Sequence, residues 1–384
     1  MMKQNISLLN ISNINEYSSV VSTIKELNNN QLSSKKFISN SFESLLCKAP
    51  KFINFKDEIF FFGKNKEQFN YKYPFNSSFI ANFDYCTLIN DIFAILTHDN
   101  YFIQDTYFND ENFKQKNNFL RSSITIQDNL GANKVDFFLY NKSKEIEYLD
   151  EEVFLLPYFW HYNYHHWLIE CLPRIKYFLE TEELKNVKIA LPANMSNFQK
   201  ESFKLFDIPD NRIIYCNQDY KFKKVYFSSL GNFSKDEIFW LRNYIFSKLD
   251  IEANPHKKYY ISRNDASLRR INNENQLTDF LKSSGYEILN LSGVSFIEQV
   301  KIFSQAKSII APHGAGLTNM IFAPDGCRIT ELAPNDYVNH CFWLLANVMN
   351  FEYTFLSGQK ISENRDFNID LEQLKILTKD ESRI

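Results

Sequence analysis

The feature that most constrains this chain is a regular alternation of apolar runs and amphipathic stretches in its last third. Lys258-Tyr259-Tyr260-Ile261-Ser262 reads as a strand, and a helix is expected from about Asn273, with Gln276 in its first turn and Gly285 as its stop. The strand Glu287-Ile288-Leu289-Asn290-Leu291 follows. Ser295-Phe296-Ile297-Glu298 then has the form of a capping box opening a second helix. Ser308-Ile309-Ile310-Ala311 is the next strand, a Gly-rich turn leads into a short helix, and Cys327-Arg328-Ile329-Thr330-Glu331-Leu332 is a further strand. Strands and helices alternating at this spacing close as a parallel sheet, because each crossover is right-handed and carries its helix onto a sheet face. The expected unit is therefore α/β and doubly wound.

In such a sheet, ligands bind beyond the carboxyl ends of the strands, where the following helix offers free N–H groups and the positive end of its dipole. The turn Ala311-Pro312-His313-Gly314-Ala315-Gly316-Leu317-Thr318-Asn319 occupies that place. Gly314 and Gly316, on either side of Ala315, are expected to take positive φ and to let the backbone approach a diphosphate closely. Thr318 and Asn319 would add donors on the first helical turn, with His313 at the strand exit. The same glycines would also serve a plain tight connection with His313 as a loop histidine, since GxG is a weak signal. Arginines on the same sheet edge weigh toward an anion: Arg263 ends the strand before, and Arg269 and Arg270 follow. Glu331, at the end of the next strand, would suit a ribose diol.

A second constellation is Asn163-Tyr164-His165-His166-Trp167-Leu168-Ile169-Glu170-Cys171-Leu172-Pro173-Arg174. On a helical projection Leu168, Leu172, Ile175 and Leu179 share a core face. Asn163, His166, Glu170 and Arg174 share the opposite arc, flanked by Trp167. A carboxylate partly desolvated beside an aromatic can act as a base, with His166 as its partner or as the base itself, and His165 is a further candidate. A structural His–Glu–Arg network would place the same residues together. Pro173 implies a bend or break. His161, His165, His166 and Glu170 lack HExxH spacing, and Asp105, Asp110 and Asp210 are isolated, so no metal site is expected.

Composition sets the frame for these motifs. A chain of 384 residues, 44% hydrophobic and 16% aromatic, can bury two cores. The reading is an N-terminal domain over 1–250, β-rich at about 50–150, and a C-terminal domain over 251–384 whose last residues pack back on the first. Ile59-Phe60-Phe61-Phe62, Ile92-Phe93-Ala94-Ile95-Leu96 and Val135-Asp136-Phe137-Phe138-Leu139 are strand candidates in the β-rich part, and Lys188–Pro192, Arg212–Tyr215 and Val225–Phe227 are buried strands after it. A net charge of −3 provides no field for nucleic acid. Six cysteines without a CxxC pair argue against zinc and disulfides. Met1 to Tyr17 is polar and lacks the apolar core of a signal peptide, so a cytoplasmic place is expected, with peripheral contact at the inner face of the cytoplasmic membrane through aromatics.

Tyr260-Ile261-Ser262-Arg263, Arg270-Ile271-Asn272-Asn273-Glu274, the turn at 311–319 and Thr330-Glu331-Leu332 together resemble glycosyltransferase family 61, as does Asn163-Tyr164-His165-His166-Trp167 with Glu170, Pro173 and Arg174. The likeness spans about residues 150–335. It implies a GT-B-like pair of Rossmann-like domains facing a cleft, and inverting, metal-independent transfer from a nucleotide sugar with no further cofactor. The donor is expected to be a UDP-sugar carrying xylose or N-acetylglucosamine. The acceptor would be an oligosaccharide or glycolipid of a bacterial capsule or lipopolysaccharide. Carried onto this chain, the resemblance puts Arg263, Arg270, His313, Gly314, Ala315, Gly316, Thr318, Asn319 and Glu331 at the donor, and Asn163, Trp167 and Arg174 on the acceptor side. Glu170, His166 and His165 are the candidates for base. Alternatives on this scaffold are a non-catalytic nucleotide-sugar-binding protein and another group transferase such as a polysaccharide pyruvyltransferase.

Overall fold

Apolar runs bounded by polar turns become buried strands because both faces of a parallel sheet are covered by helices. The computed structural model describes residues 34–37, 44–53, 71–74, 79–90, 92–98, 120–121, 124–128, 135–139, 146–229, 233–337 and 339–380. The strand expected at Ile59-Phe60-Phe61-Phe62, the polar N-terminus, Asp105 and Asp110 lie outside these residues. The chain divides into two units, one of residues 1–42, 76–196 and 206–232, the other of residues 43–75, 197–205 and 233–384.

The first unit is built on a mixed sheet of seven strands. Its parallel part is Tyr220–Ser228, Glu147–Leu155, Lys188–Pro192 and Ile213–Cys216, side by side in that order. Phe79–Ile89 pairs antiparallel with Tyr220–Ser228, and Ser34–Phe37 and Ala94–Leu96 pair with it in turn. Part of the segment expected to be a β-rich extension is thus woven into the main sheet. The strand expected from Ile92 begins at Ala94, after a turn in which Phe93 has φ 49°. Val135–Leu139 is the last strand of a separate three-stranded antiparallel sheet with Leu120–Arg121 and Ile124–Asp128. The core gathers Phe79, Phe83, Val153, Ala190, Val225 and Phe227, and Phe83 stacks on Phe227 with ring centroids 5.9 Å apart.

The second unit has the alternation that the sequence predicts. Counted in chain order from Lys257–Ile261, its five main strands lie in the order 2-1-3-4-5, all parallel. These are Tyr286–Leu289, Lys257–Ile261, Ala306–Pro312, Arg328–Pro334 and Glu352–Lys360. Lys51–Ile53 adds a parallel strand beside Glu352–Lys360, and Phe367–Asn368 an antiparallel one. The helix Glu274–Ser283 ends at Gly285, whose φ of 82° is the left-handed stop expected there. The helix Phe296–Phe303 opens with Ser295 Oγ accepting the Glu298 N–H at 3.2 Å. Glu201 Oε2, from the helix Asn197–Lys204, takes the Phe296 N–H at 2.6 Å. The helix Leu371–Asp380 sends Leu374 and Leu377 into the same core as Tyr260, Leu277 and Ile310, so the end of the described chain belongs to its own unit's core. No helix among the described residues is long and apolar enough to cross a membrane.

Candidate active site

The order 2-1-3-4-5 reverses direction between Lys257–Ile261 and Ala306–Pro312, and a crevice opens at such a switch point beyond the strands' carboxyl ends. Two expected residues meet there. A Cβ on Gly314 would lie 2.0 Å from Arg263 Nη1 and 2.7 Å from its Cζ, so only a glycine lets the guanidinium lie on this stretch of backbone. The expected positive φ is not found: Gly314 has φ 176°, an extended conformation open to any residue, and among the described residues the positive-φ glycines are Gly285, Gly293 and Gly326. Close approach by a side chain, not a left-handed turn, accounts for this glycine. A Cβ on Gly316 would meet only Leu291 Cδ1 at 2.9 Å and Ile261 Cγ2 at 3.6 Å.

The short helix after the turn is a 3₁₀ helix, Ala315–Phe322, and its tighter winding changes which side chains reach outward. Thr318 and Asn319 are fully buried. Asn319 donates its amide to Gln299 Oε1 at 2.8 Å and to Gly316 O at 3.0 Å. Both were expected to donate to a phosphate; instead both are buried, and Asn319 holds the helix on the helix Phe296–Phe303 and on its own first turn. Glu331 also departs from its expected place at a ribose. It is completely buried, accepts from His313 Nδ1 and Tyr353 Oη, and so fixes the imidazole. Burial, reinforced by Glu331, holds the Tyr353 phenol well above its usual pKa, so this hydroxyl keeps its proton to donate. His313 lies edge-on between Tyr337 and Phe342, each 5.0 Å away, with Nε2 toward Tyr337 Oη at 3.5 Å.

The arginines sort differently from expectation. Arg270 turns to Asp366, donating its N–H to Oδ1 at 2.9 Å and Nη2 to Oδ2 at 3.3 Å, because the strand Phe367–Asn368 is held against this loop. Arg269, its neighbour, is the one at the turn: its Nε donates to His313 O at 3.3 Å, and its guanidinium lies over the Tyr337 ring at 5.1 Å. Arg365 lies over the same ring at 4.7 Å. Burial depresses the Arg263 pKa and the nearby Arg269 adds to it, with Asp265 and Tyr337 acting the other way. Among the described residues no carboxylate is within ion-pair distance of Arg263, Arg269 or Arg365. The basic pair at 269–270 signalled cations here without saying which one turns inward. Arg365 sits in the turn Asn364-Arg365-Asp366, where no sequence pattern marks it.

In the first unit, the segment expected as one helix with a break changes winding three times. An α turn at Tyr164–His166 passes into a π turn at Trp167–Cys171, a 3₁₀ turn at Leu172–Arg174 and an α-helix at Ile175–Glu180. Asn163 Oδ1 accepts the His165 N–H at 2.9 Å and caps the start, so its side chain is committed to the backbone. His166 and Glu170 come together as the projection requires, with Nδ1 2.7 Å from Oε2. The same Nδ1 is 2.8 Å from Tyr158 Oη, and Trp160 stacks on the imidazole at 5.8 Å. Neither Tyr158 nor Trp160 was singled out in the sequence, since both precede the helix that carried the periodic signal.

Beyond Glu170 the projection fails. The wide π turn and the tight 3₁₀ turn shift the helical phase, so Arg174 and Leu179 leave their expected faces. Leu179, expected in the core, is exposed, while Leu168, Leu172 and Ile175 are buried. Arg174 is buried and donates to Leu155 O at 2.8 Å, Leu156 O at 2.6 Å and Ser228 Oγ at 3.0 Å, tying the segment to the ends of two strands. Trp167 is fully buried and His165 nearly so. The face that reaches the surface is therefore His166 and Glu170, with side chains 29% and 19% exposed. Burial pushes the Glu170 carboxyl up to about 8 and the His166 imidazole down to about 4. Near neutral pH both groups are uncharged, and a proton lies between them.

Residues 164–330 match the family model for Glycosyltransferase 61, a span that contains both His166–Glu170 and His313–Gly314. No curated protein matches the chain.

Proposed function

From the chain's membership of glycosyltransferase family 61, we propose that this glycosyltransferase moves a sugar from a nucleoside diphosphate donor to an acceptor hydroxyl with inversion and without a metal. The two units then act as the donor half and the acceptor half of a GT-B-type enzyme. The observation that carries the donor assignment is Arg263 laid on Gly314 at the switch point, with no carboxylate within ion-pair distance of it among the described residues. A guanidinium held there stabilises the charge that grows on a departing diphosphate, which is the service a metal otherwise provides. His313, oriented by buried Glu331, stands at the donor turn with its Nε2 toward Tyr337 Oη.

Inversion needs one in-line attack and therefore one base. Glu170 is that base in this reading, held by His166 and Tyr158, with His166 as the alternative. The pair's shifted pKa values suit proton transfer, because burial has moved the carboxyl toward the working pH of an enzyme. The acceptor is read as a bacterial surface polysaccharide, capsule or lipopolysaccharide, and the donor as a UDP-sugar of xylose or N-acetylglucosamine.

The test is a thermal-shift screen of nucleoside diphosphates and nucleotide sugars, followed by a transfer assay with EDTA present. A donor that raises Tm in the wild type but not in Arg263→Ala, and is turned over in EDTA, is the expected result. Full donor affinity in Arg263→Ala would remove the donor assignment, and loss of turnover in EDTA would remove the metal-independent step.

A further inference from the structure

We propose that Arg269, Arg365 and Tyr337 form a clamp for the second phosphate of the donor, which makes this site select a diphosphate over a monophosphate. The clamp rests on the donor-site reading above and adds residues to it, two of which, Tyr337 and Arg365, lie beyond the segment that matches the family. Three observations converge. Arg269 and Arg365 both have left-handed backbone, with φ of 57° and 59°. A residue with a Cβ takes that conformation at a cost, and such strain gathers where a side chain must be aimed. Both guanidinium groups lie on the one Tyr337 ring, and Tyr337 itself packs edge-on against His313 at the turn. The two loops are tied to each other, since the Arg269 N–H donates to Asn364 O at 3.0 Å.

The third observation is electrostatic. Arg263, Arg269 and Arg365 have no carboxylate within ion-pair distance among the described residues, and the buried Arg263 Nε has no hydrogen-bond partner. Arg269 adds to the depression of the Arg263 pKa and Asp265 offsets it only in part, so the cations repel one another, and a dianionic or trianionic ligand relieves that repulsion. One phosphate beside Gly314 satisfies Arg263. A second, bonded to the first, falls to Arg269 and Arg365, whose planar forks suit phosphate oxygens. A monophosphate cannot engage both groups.

Binding of inorganic pyrophosphate and of orthophosphate at matched ionic strength, by calorimetry on the full chain, tests the clamp independently of the nucleotide base. Wild type is expected to prefer pyrophosphate. Arg365→Ala and Arg269→Ala should each lose about tenfold in pyrophosphate affinity, with orthophosphate affinity little changed, while Arg263→Ala weakens both. Arg365→Gly separates this role from a structural one, because glycine relaxes the left-handed backbone. The clamp predicts a Tm at or above wild type with pyrophosphate affinity still down about tenfold. Wild-type pyrophosphate affinity in Arg365→Ala and Arg365→Gly overturns the clamp and leaves the donor site standing. A wild type that binds neither pyrophosphate nor UDP, GDP or ADP overturns the donor site, and the clamp with it.

Discussion

Each unit of this protein holds a histidine against a glutamate, and the two pairs are built to opposite ends. In the first unit His166 and Glu170 are one helical turn apart on a segment that winds through α, π and 3₁₀ turns, and both reach the surface. In the second, His313 follows the end of one strand and Glu331 lies within the adjacent one, Arg328–Pro334, and the carboxylate is sealed in with Tyr353 as its other partner. A half-buried carboxyl with one imidazole beside it is left able to gain and lose a proton. A carboxylate that accepts from two donors and meets no solvent instead fixes its histidine in place. On the function proposed above, the same two residue types make a proton-transfer site in one setting and a positioning device in the other.

The largest expected effect tests the first half of that contrast. Glu170→Gln keeps the shape and hydrogen bonding but cannot take a proton, so turnover should fall by about 10²–10⁴ with donor affinity unchanged, measured by initial rates beside calorimetry. The pH profile identifies the group. Activity should rise with pH through an apparent pKa near 8 if Glu170 is the base, and through one near 4 if His166 is. Loss of the limb near 8 in Glu170→Gln completes the assignment.

The same carboxyl also sets a stability trend of known sign. Its folded pKa is raised from 4.5 to about 8, so the folded chain keeps a proton that the unfolded chain releases. Stability from this group is full below about pH 4.5 and is lost as pH rises through about 8. Glutamine has no such loss. The Tm of Glu170→Gln relative to wild type should therefore climb from about pH 5 to about pH 9 in a melting series.

Glu331→Gln should behave in the other manner. The buried amide must place an NH₂ where a carboxylate accepted from both His313 and Tyr353, which leaves one partner unsatisfied and costs about 1–3 kcal/mol at every pH near neutrality. Calorimetric melting is expected to show a lower Tm, and turnover to fall through weaker donor binding, read as a rise in KM. A kcat-only loss with unchanged Tm would make Glu331 a chemical participant and erase the contrast.

How far the sequence foretold these pairs differs between them, and the reasons are physical. The second unit was legible because period, caps and crossovers agree along its whole length, from Gly285 to the Ser295–Glu298 box. His166 and Glu170 were legible because only one turn of ordinary spacing separates them. Arg174 and Leu179 were misplaced because the winding changes after Trp167, and a helical projection assumes one pitch. Thr318 and Asn319 were read as facing a ligand since each follows the ligand edge of the sheet, yet that position does not say which way a side chain turns, and Glu331 was read at a strand end although its strand runs on to Pro334. Arg365 and Tyr337 were invisible for a different reason: their importance comes from two loops far apart in sequence that meet at one ring.

The two glycines of the turn give the finest test, because the sequence assigned them one role and the structure gives them two. Alanine is tolerated by the extended backbone at 314, so Gly314→Ala should leave Tm nearly unchanged, while its Cβ, 2.0 Å from Arg263 Nη1, displaces the guanidinium. Donor affinity should drop about tenfold, as expected for losing a charged hydrogen-bond donor. Gly316→Ala meets only the end of the Leu291 side chain at 2.9 Å, which can rotate aside. Its expected cost is below about 1 kcal/mol in stability, with donor affinity within about twofold of wild type. If Gly316→Ala weakened the donor as much as Gly314→Ala, the site would depend on bare backbone at both glycines, and the placing of Arg263 on Gly314 would no longer explain it.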